Sequence, residues 1–279
     1  MPHAETSVAT WCELEGRRFQ IDLARAHDLA IALDFDGRQP RWFEAPTARS
    51  TALASGKFSG RVELGASCNC STLSLTPHCD GTHTECAGHL TREPLAVRTV
   101  VPAGFVPALL LSVTPVRAAE TAECSGPPMA ATDRLITAEA IRLAWPAAPA
   151  FAPRALIVRT LPNAPAKRSM DYRDHPAPYL SLGAASLMVE RGIEHLLLDV
   201  PSADRADDGG QLSAHRGFFG LPGGSTSLAA VQRPRCTITE MVYVDSLVAD
   251  GSYLLSLQIP SLGGDAVRSR PLLYPLHPV

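Results

Sequence analysis

Several things are scarce in this chain of 279 residues, and each scarcity removes a class of function. Positive charge is not in excess: 25 Lys+Arg stand against 28 Asp+Glu, a net charge of -3, so no basic field draws the chain to nucleic acid or to an anionic membrane surface. No apolar run approaches the roughly 20 residues that a membrane helix needs; the most apolar stretches, Val106–Val113 and Leu196–Val200, are far shorter. Met1–Thr10 lacks the basic start and apolar run of a secretory leader, and a cytoplasmic location is the expectation. None of the seven cysteines forms a C-x-x-C pair, which argues against a thiol redox protein, and their odd number excludes a complete disulfide framework. No segment repeats at a period of 20–50 residues, so a solenoid or propeller is not expected. Charged residues make up only 19%, whereas Pro reaches 24 and Gly 20: the chain is apolar and loop-rich, yet able to bury a sizeable core. No shift in composition marks a linker, and one domain of mixed α/β type spanning residues 1–279 is expected.

The elements follow from pattern. Phe19–Asp22, Ala108–Val113 and Ala155–Thr160 read as short apolar strands. Ile136–Ala144 resembles a short helix with Thr137 near its start, and Leu180–Arg191 a second, with Ser181 as cap and Gly192 as stop. Ile193–Val200 is a continuous apolar run, as in a strand covered on both faces. Polar, glycine-rich Ser202–Ser227 reads as a long surface excursion, with Asp204–Asp208 solvated. Thr237–Val244 and Tyr253–Ile259 read as further strands, the first placing Ile238, Glu240, Val242 and Val244 on one face.

The chemistry concentrates in Pro77-His78-Cys79-Asp80-Gly81-Thr82-His83-Thr84-Glu85-Cys86-Ala87-Gly88-His89. Three His, two Cys, an Asp and a Glu in thirteen residues, with two glycines for sharp turns, suit a metal site. In extended chain Cys79, His83 and Glu85 share a face, whereas His78 joins them only across a bulge. His83 and His89 would lie about 20 Å apart in extended chain, so the backbone must turn near Ala87-Gly88 for both to serve one site. Cys68, Cys70 and Cys86 read as small packed hydrophobes, and His175, His195 and His277 as ordinary residues.

This segment resembles the signature H-x-G-T-H-x-D-x-P-x-H of the cyclase family of metal-dependent hydrolases, which includes kynurenine formamidases and isatin hydrolases. Gly81-Thr82-His83 and His89 match; Glu85 stands in place of Asp, Ala87 in place of Pro, and the first His falls on Cys79. The resemblance continues through Ile21-Asp22-Leu23, Val158-Arg159-Thr160, Pro178–Ser181 and Gly192-Ile193, and its later His and Glu ligands fall on His215 and Glu240. It implies a mixed-sheet swivelling β/β/α fold and one or two Zn²⁺ or Mn²⁺ ions held by Cys79, His83, Glu85, His215 and Glu240. It further implies hydrolysis of a small-molecule amide, a formamide or a cyclic amide, and a homodimer or homotetramer. A metal supplies hydroxide near neutral pH and polarises the carbonyl, with His89 as general acid and base. A Cys79 thiolate favours Zn²⁺ over Mn²⁺. Trp42 and Phe43 are candidates to stack a planar ring. The rival reading is a non-catalytic zinc-binding relative whose closed four-ligand site leaves no water position.

Overall fold

The computed structural model describes residues 9–279; residues 1–8, on which most of the expectation about a leader rests, lie outside them. Nine strands form one mixed sheet: β1 (His27–Asp28), β2 (His83–Cys86), β3 (Phe105–Val113), β4 (Ala155–Thr160), β5 (His195–Leu198), β6 (Thr237–Glu240), β7 (Gly251–Gln258), β8 (Ala266–Arg268) and β9 (Arg270–Pro275). Their spatial order is β8-β2-β6-β5-β4-β3-β7-β9-β1. The four central strands, β6, β5, β4 and β3, are parallel, and the flanking ones pair antiparallel. The sheet curls into a half-barrel, the mixed-sheet architecture that the resemblance implied.

Strand alternation sorts the apolar residues into two cores. Leu109, Leu111, Val113, Leu156, Val158, Leu196, Leu198 and Ile238 face the helices, and Ala108, Leu110, Ala155, Ile157 and Leu197 face the other side. Each fully buried Leu, Ile or Phe contributes roughly 1.5–3 kcal/mol relative to exposure, in keeping with the apolar stretches Ala155–Val158 of β4 and Leu196–Leu198 of β5. The helices are α1 (Ala138–Ala144), α2 (Leu182–Glu190) and α3 (Ser213–Phe219). Thr137 caps α1 by accepting from Ala140 N–H, and Ser181 caps α2 by accepting from Ala184 N–H. Among the described residues no helix is long and apolar enough to cross a membrane.

Three expectations are corrected. Residues 202–227 are not a solvated excursion: α3 lies within them, burying Ala214, His215, Phe218 and Phe219, and Asp204 and Asp208 are buried too. Gly217 lies within α3 and Gly220, at φ +66, ends it, while the Phe218-Phe219 pair is buried in the helix-side core. β6 stops at Glu240 because Met241 adopts φ +52, a conformation that breaks strand alternation. Ile238 therefore joins the helix-side core and Val242 and Val244 the opposite one. Cys68 is exposed and Cys70 only half-buried, because Arg49–Ala52 and Ser71–Ser74 pair with each other and with no strand of the main sheet. Cys86 is packed as expected, against Val97 and Val267.

Candidate metal centre

The register places the site. β2 runs antiparallel to β6 with His83 opposite Glu240, so the first residue of one strand meets the last of its neighbour at the carboxyl end of the parallel strands, where open α/β sheets build their ligand sites. Gly81 is obligatory in this approach: its φ is +94, and a Cβ would fall 2.7 Å from Arg268 Nη1. Thr82 fastens the turn by donating its hydroxyl to Met241 carbonyl while accepting from Ile31 N–H.

His83, Glu85 and Glu240 are buried and offer donor atoms all within 4.8 Å of one another. His83 Nε2 lies 3.4 Å from Glu240 Oε2 and 3.9 Å from Glu85 Oε2. His215, carried in on α3, places Nε2 2.8 Å from Glu85 Oε1 and 3.4 Å from Glu240 Oε1. Each imidazole is set by what its other nitrogen meets. His83 Nδ1 sits 3.0 Å from Gly81 carbonyl and His215 Nδ1 2.6 Å from Asp204 Oδ2; both partners only accept, so Nδ1 carries the proton and Nε2 faces the carboxylates. Asp204 also accepts from Ala214 and His215 N–H, fixing the start of α3 together with its histidine. Glu240 is anchored by Ala203 N–H at 2.6 Å.

Charge balance within this cluster is incomplete. Burial raises the Glu85 carboxyl, but the neighbouring His215 and His89 charges outweigh it and hold the group below the usual carboxylate range. Burial acts likewise on Glu240, and the nearby His215 and His83 imidazoles hold it far lower. For His215 burial opposes the charged form, yet Glu85 and Asp204 raise it well above an ordinary histidine. His83 Nε2, His78 Nε2 and Glu85 Oε1 are buried with no hydrogen-bond partner. The Glu85–His215 approach at 2.8 Å is an ion pair by distance that lacks hydrogen-bond geometry. Buried unpaired donors and acceptors are costly, and imidazole and carboxylate donors converging in this way fit a divalent metal.

Cys79 does not join the group. The chain turns at Thr76–Asp80, where Cys79 and Asp80 N–H both donate to Thr76 carbonyl, and the extended run starts only at His83, so parity counted back to residue 79 fails. Cys79 packs instead with Ile31, Trp42, Tyr172 and Met241, and burial first, then Asp80 and Glu240, pushes its thiol up to about 11. His78 takes its place: Nε2 is 3.4 Å from Glu85 Oε2. His89 follows in the turn Ala87–Leu90, its ring stacked on His78 at 4.4 Å and 5.8 Å from the His215 ring.

Sequence reading missed two carboxylates here. Asp204 was discoverable as an acid shortly before a candidate ligand, but Asp265, beside His78 and His89, carries no local signal. A small cavity of about 80 Å³ is lined by His78, Glu85, His89, His215 and Glu240. It shares Trp42, Phe43, Ser202 and Arg205 with a larger one of about 410 Å³. Left-handed non-glycine residues cluster around it: Phe43 (φ +53) and Leu212 (φ +46) line the small cavity and Met241 follows Glu240, a placement typical of functional sites.

The profile of the Cyclase family (“Putative cyclase”) matches residues 27–205. The chain belongs to that family. No curated protein matches this cyclase-family chain, whereas solved structures share its fold at low identity. It is similar to a potential metal-dependent hydrolase with cyclase activity (15% identity, 90% of this chain and 97% of the other, TM-score 0.59). It is similar also to a predicted metal-dependent hydrolase from Bacillus stearothermophilus (16%, 90% and 98%, 0.54). A third neighbour is an isatin hydrolase bound to the product analogue thioisatinate (14%, 91% and 93%, 0.55).

Proposed function

We propose that this cyclase-family chain is a metal-dependent hydrolase that cleaves the C–N bond of a small amide, a formamide or a cyclic amide. The observation that carries the reading is the buried His83–Glu85–Glu240 group with orphaned donor atoms, opening on a cavity that also presents His89. The structural neighbours, among them a predicted metal-dependent hydrolase and an isatin hydrolase, support the same class.

His83, Glu85, Glu240 and His215 would hold the ion, with His78 as a further ligand through Nε2. Without Cys79 the donors are imidazole and carboxylate, a set that suits Mn²⁺ as well as Zn²⁺, and the thiolate argument for zinc falls away. Such an ion supplies Lewis acidity, lowering the pKa of a water to about 7 and polarising a carbonyl. The chain's own residues do the rest. His83 and His215 present Nε2 because Gly81 and Asp204 engage Nδ1, which orients both rings before substrate arrives. Trp42 and Phe43, 4.8 Å apart between ring centroids, wall the entrance and offer faces for a planar ring. His89 Nε2 accepts the proton of the attacking water as the C–O bond forms, and returns it to the departing nitrogen as the C–N bond breaks. General acid–base work of this kind contributes roughly 10²–10⁴ in rate.

Metal analysis of the purified protein, run beside a panel of N-formyl anilines, cyclic imides and isatin-like rings, tests the proposal. The expected result is bound divalent metal, turnover of at least one panel compound, and a loss of about 10²-fold or more in His89→Ala with metal retained. Bound metal with no turnover in any panel compound overturns it in favour of a non-catalytic metal-binding relative.

A further inference from the structure

Asp265 belongs to no motif of the signature and lies beyond the residues 27–205 that match the family. It ends the turn Gly263-Gly264-Asp265, one residue before β8, and its carboxylate reaches two imidazoles at once. Oδ2 is 3.1 Å from His78 Nε2 and 3.4 Å from His89 Nδ1. The turn is tied down on both sides: Cys86 N–H donates to Asp265 carbonyl at 3.0 Å, and Val97 N–H to Gly264 carbonyl at 2.8 Å. Gly88 leaves room for it, since a Cβ there would fall 3.1 Å from Asp265 Cβ and 2.5 Å from Leu95 carbonyl. The turn carrying His89 is therefore shaped to receive Asp265. The His78 ring, stacked on His89 with 28° between planes, covers one face of the imidazole and restricts its rotation.

A shared pattern gives this arrangement meaning. His83 and His215 each turn Nδ1 toward an oxygen that only accepts, Gly81 carbonyl and Asp204 carboxylate, and keep Nε2 for the centre. His89 likewise has Nδ1 on the side of an acceptor, 3.4 Å from Asp265 Oδ2, at ion-pair distance. We propose that Asp265 is a positioning residue for His89, keeping a proton on Nδ1 so that Nε2 is the bare nitrogen that accepts from water and donates to the leaving group. Its effect on rate rests on the reaction proposed above; its effect on the tautomer does not. When Nε2 takes the water proton the ring becomes an imidazolium whose Nδ1–H stays on His89 beside the Asp265 carboxylate. The Nε2 proton then passes to the departing nitrogen, and Asp265 itself is never protonated.

The test is ¹⁵N spectroscopy of the histidine rings in the Zn²⁺-loaded full chain, with the His89 signals assigned through His89→Gln. Wild type is expected to show His89 protonated at Nδ1 and bare at Nε2. Asp265→Ala is expected to move the proton to Nε2, and Asp265→Glu to restore the wild-type pattern. On a compound turned over by wild type, Asp265→Ala is expected to lower kcat at least about tenfold with KM and zinc content unchanged. An identical His89 tautomer in wild type and Asp265→Ala overturns the proposal. Loss of zinc in Asp265→Ala also overturns it, by making Asp265 a ligand. A tautomer switch in a protein that hydrolyses nothing in the panel upholds the positioning role and removes the amide reaction alone.

Discussion

Two buried charged clusters sit at neighbouring strand ends of the sheet, and they are built in opposite ways. At the end of β4, Lys167 Nζ donates to Asp199 Oδ2 at 2.7 Å and to Thr160 carbonyl and hydroxyl at 2.7 and 2.8 Å, while Thr160 N–H and hydroxyl donate to the same Asp199. Burial pushes Asp199 up against the lowering effect of Lys167, yet every partner there is spoken for. At the end of β6, His83 Nε2 and Glu85 Oε1 of an equally buried cluster have none. Buried polar networks stabilise only when each member is satisfied, so the first cluster is a structural fastening between parallel strands, and the second has donor atoms that could hold a metal ion. Burial and charge are common to both; satisfaction separates them.

Breaking each cluster should give different losses. Glu85→Ala is expected to weaken metal binding beyond the roughly 10–100-fold that loss of an outer partner costs, with turnover falling alongside; metal content after dialysis and the activity panel measure it, and full retention of metal removes Glu85 as a ligand. Asp199→Ala leaves Lys167 buried without its counter-charge, which costs about 3–5 kcal/mol and, at this chain length, lowers the melting temperature by about 2–4 °C per kcal/mol. Metal content per folded chain should not change.

A smaller effect sharpens the contrast. Because His215 is raised well above an ordinary histidine, metal must displace a proton from it at any pH below that raised value. Affinity is therefore expected to rise with pH, about tenfold per unit where one proton is released. Calorimetric titration of Zn²⁺ in two buffers of different ionisation enthalpy counts that proton; no difference between buffers contradicts the raised His215. The least effect belongs to an exposed pair. Hydrogen bonding to Arg173 lowers Asp171 to about 2, so its contribution is present above the ordinary carboxylate pKa and lost as pH falls through about 2. The unfolding midpoint of Asp171→Asn should lie slightly below wild type at neutral pH, as for surface ion pairs, and the two should converge below pH 2.

Much of this was legible in the residues. β4 matches Ala155–Thr160, α1 and α2 begin after the caps Thr137 and Ser181, and the Gly81-Thr82-His83 core with Glu85 and His89 marks one half of the site. What was not legible depends on local conformation that the pattern cannot carry. Counting parity back from His83 points to Cys79, but a turn at Thr76–Asp80 brings His78 to Glu85 instead. Glycine content in residues 202–227 reads as loop, because the pull of Phe218 and Phe219 into a core made by distant strands is invisible locally.

The sequence alone determined which chemical groups are available and which strands must be buried, since periodicity and composition are local properties. Only the tertiary structure decided that His83 faces Glu240 across 157 residues of chain, that Asp265 comes beside His78 and His89 from far along the sequence, and that Cys79 packs away from the group. Those outcomes follow from strand register and turn conformation, which are fixed by packing summed over the whole sheet rather than by any short run of residues.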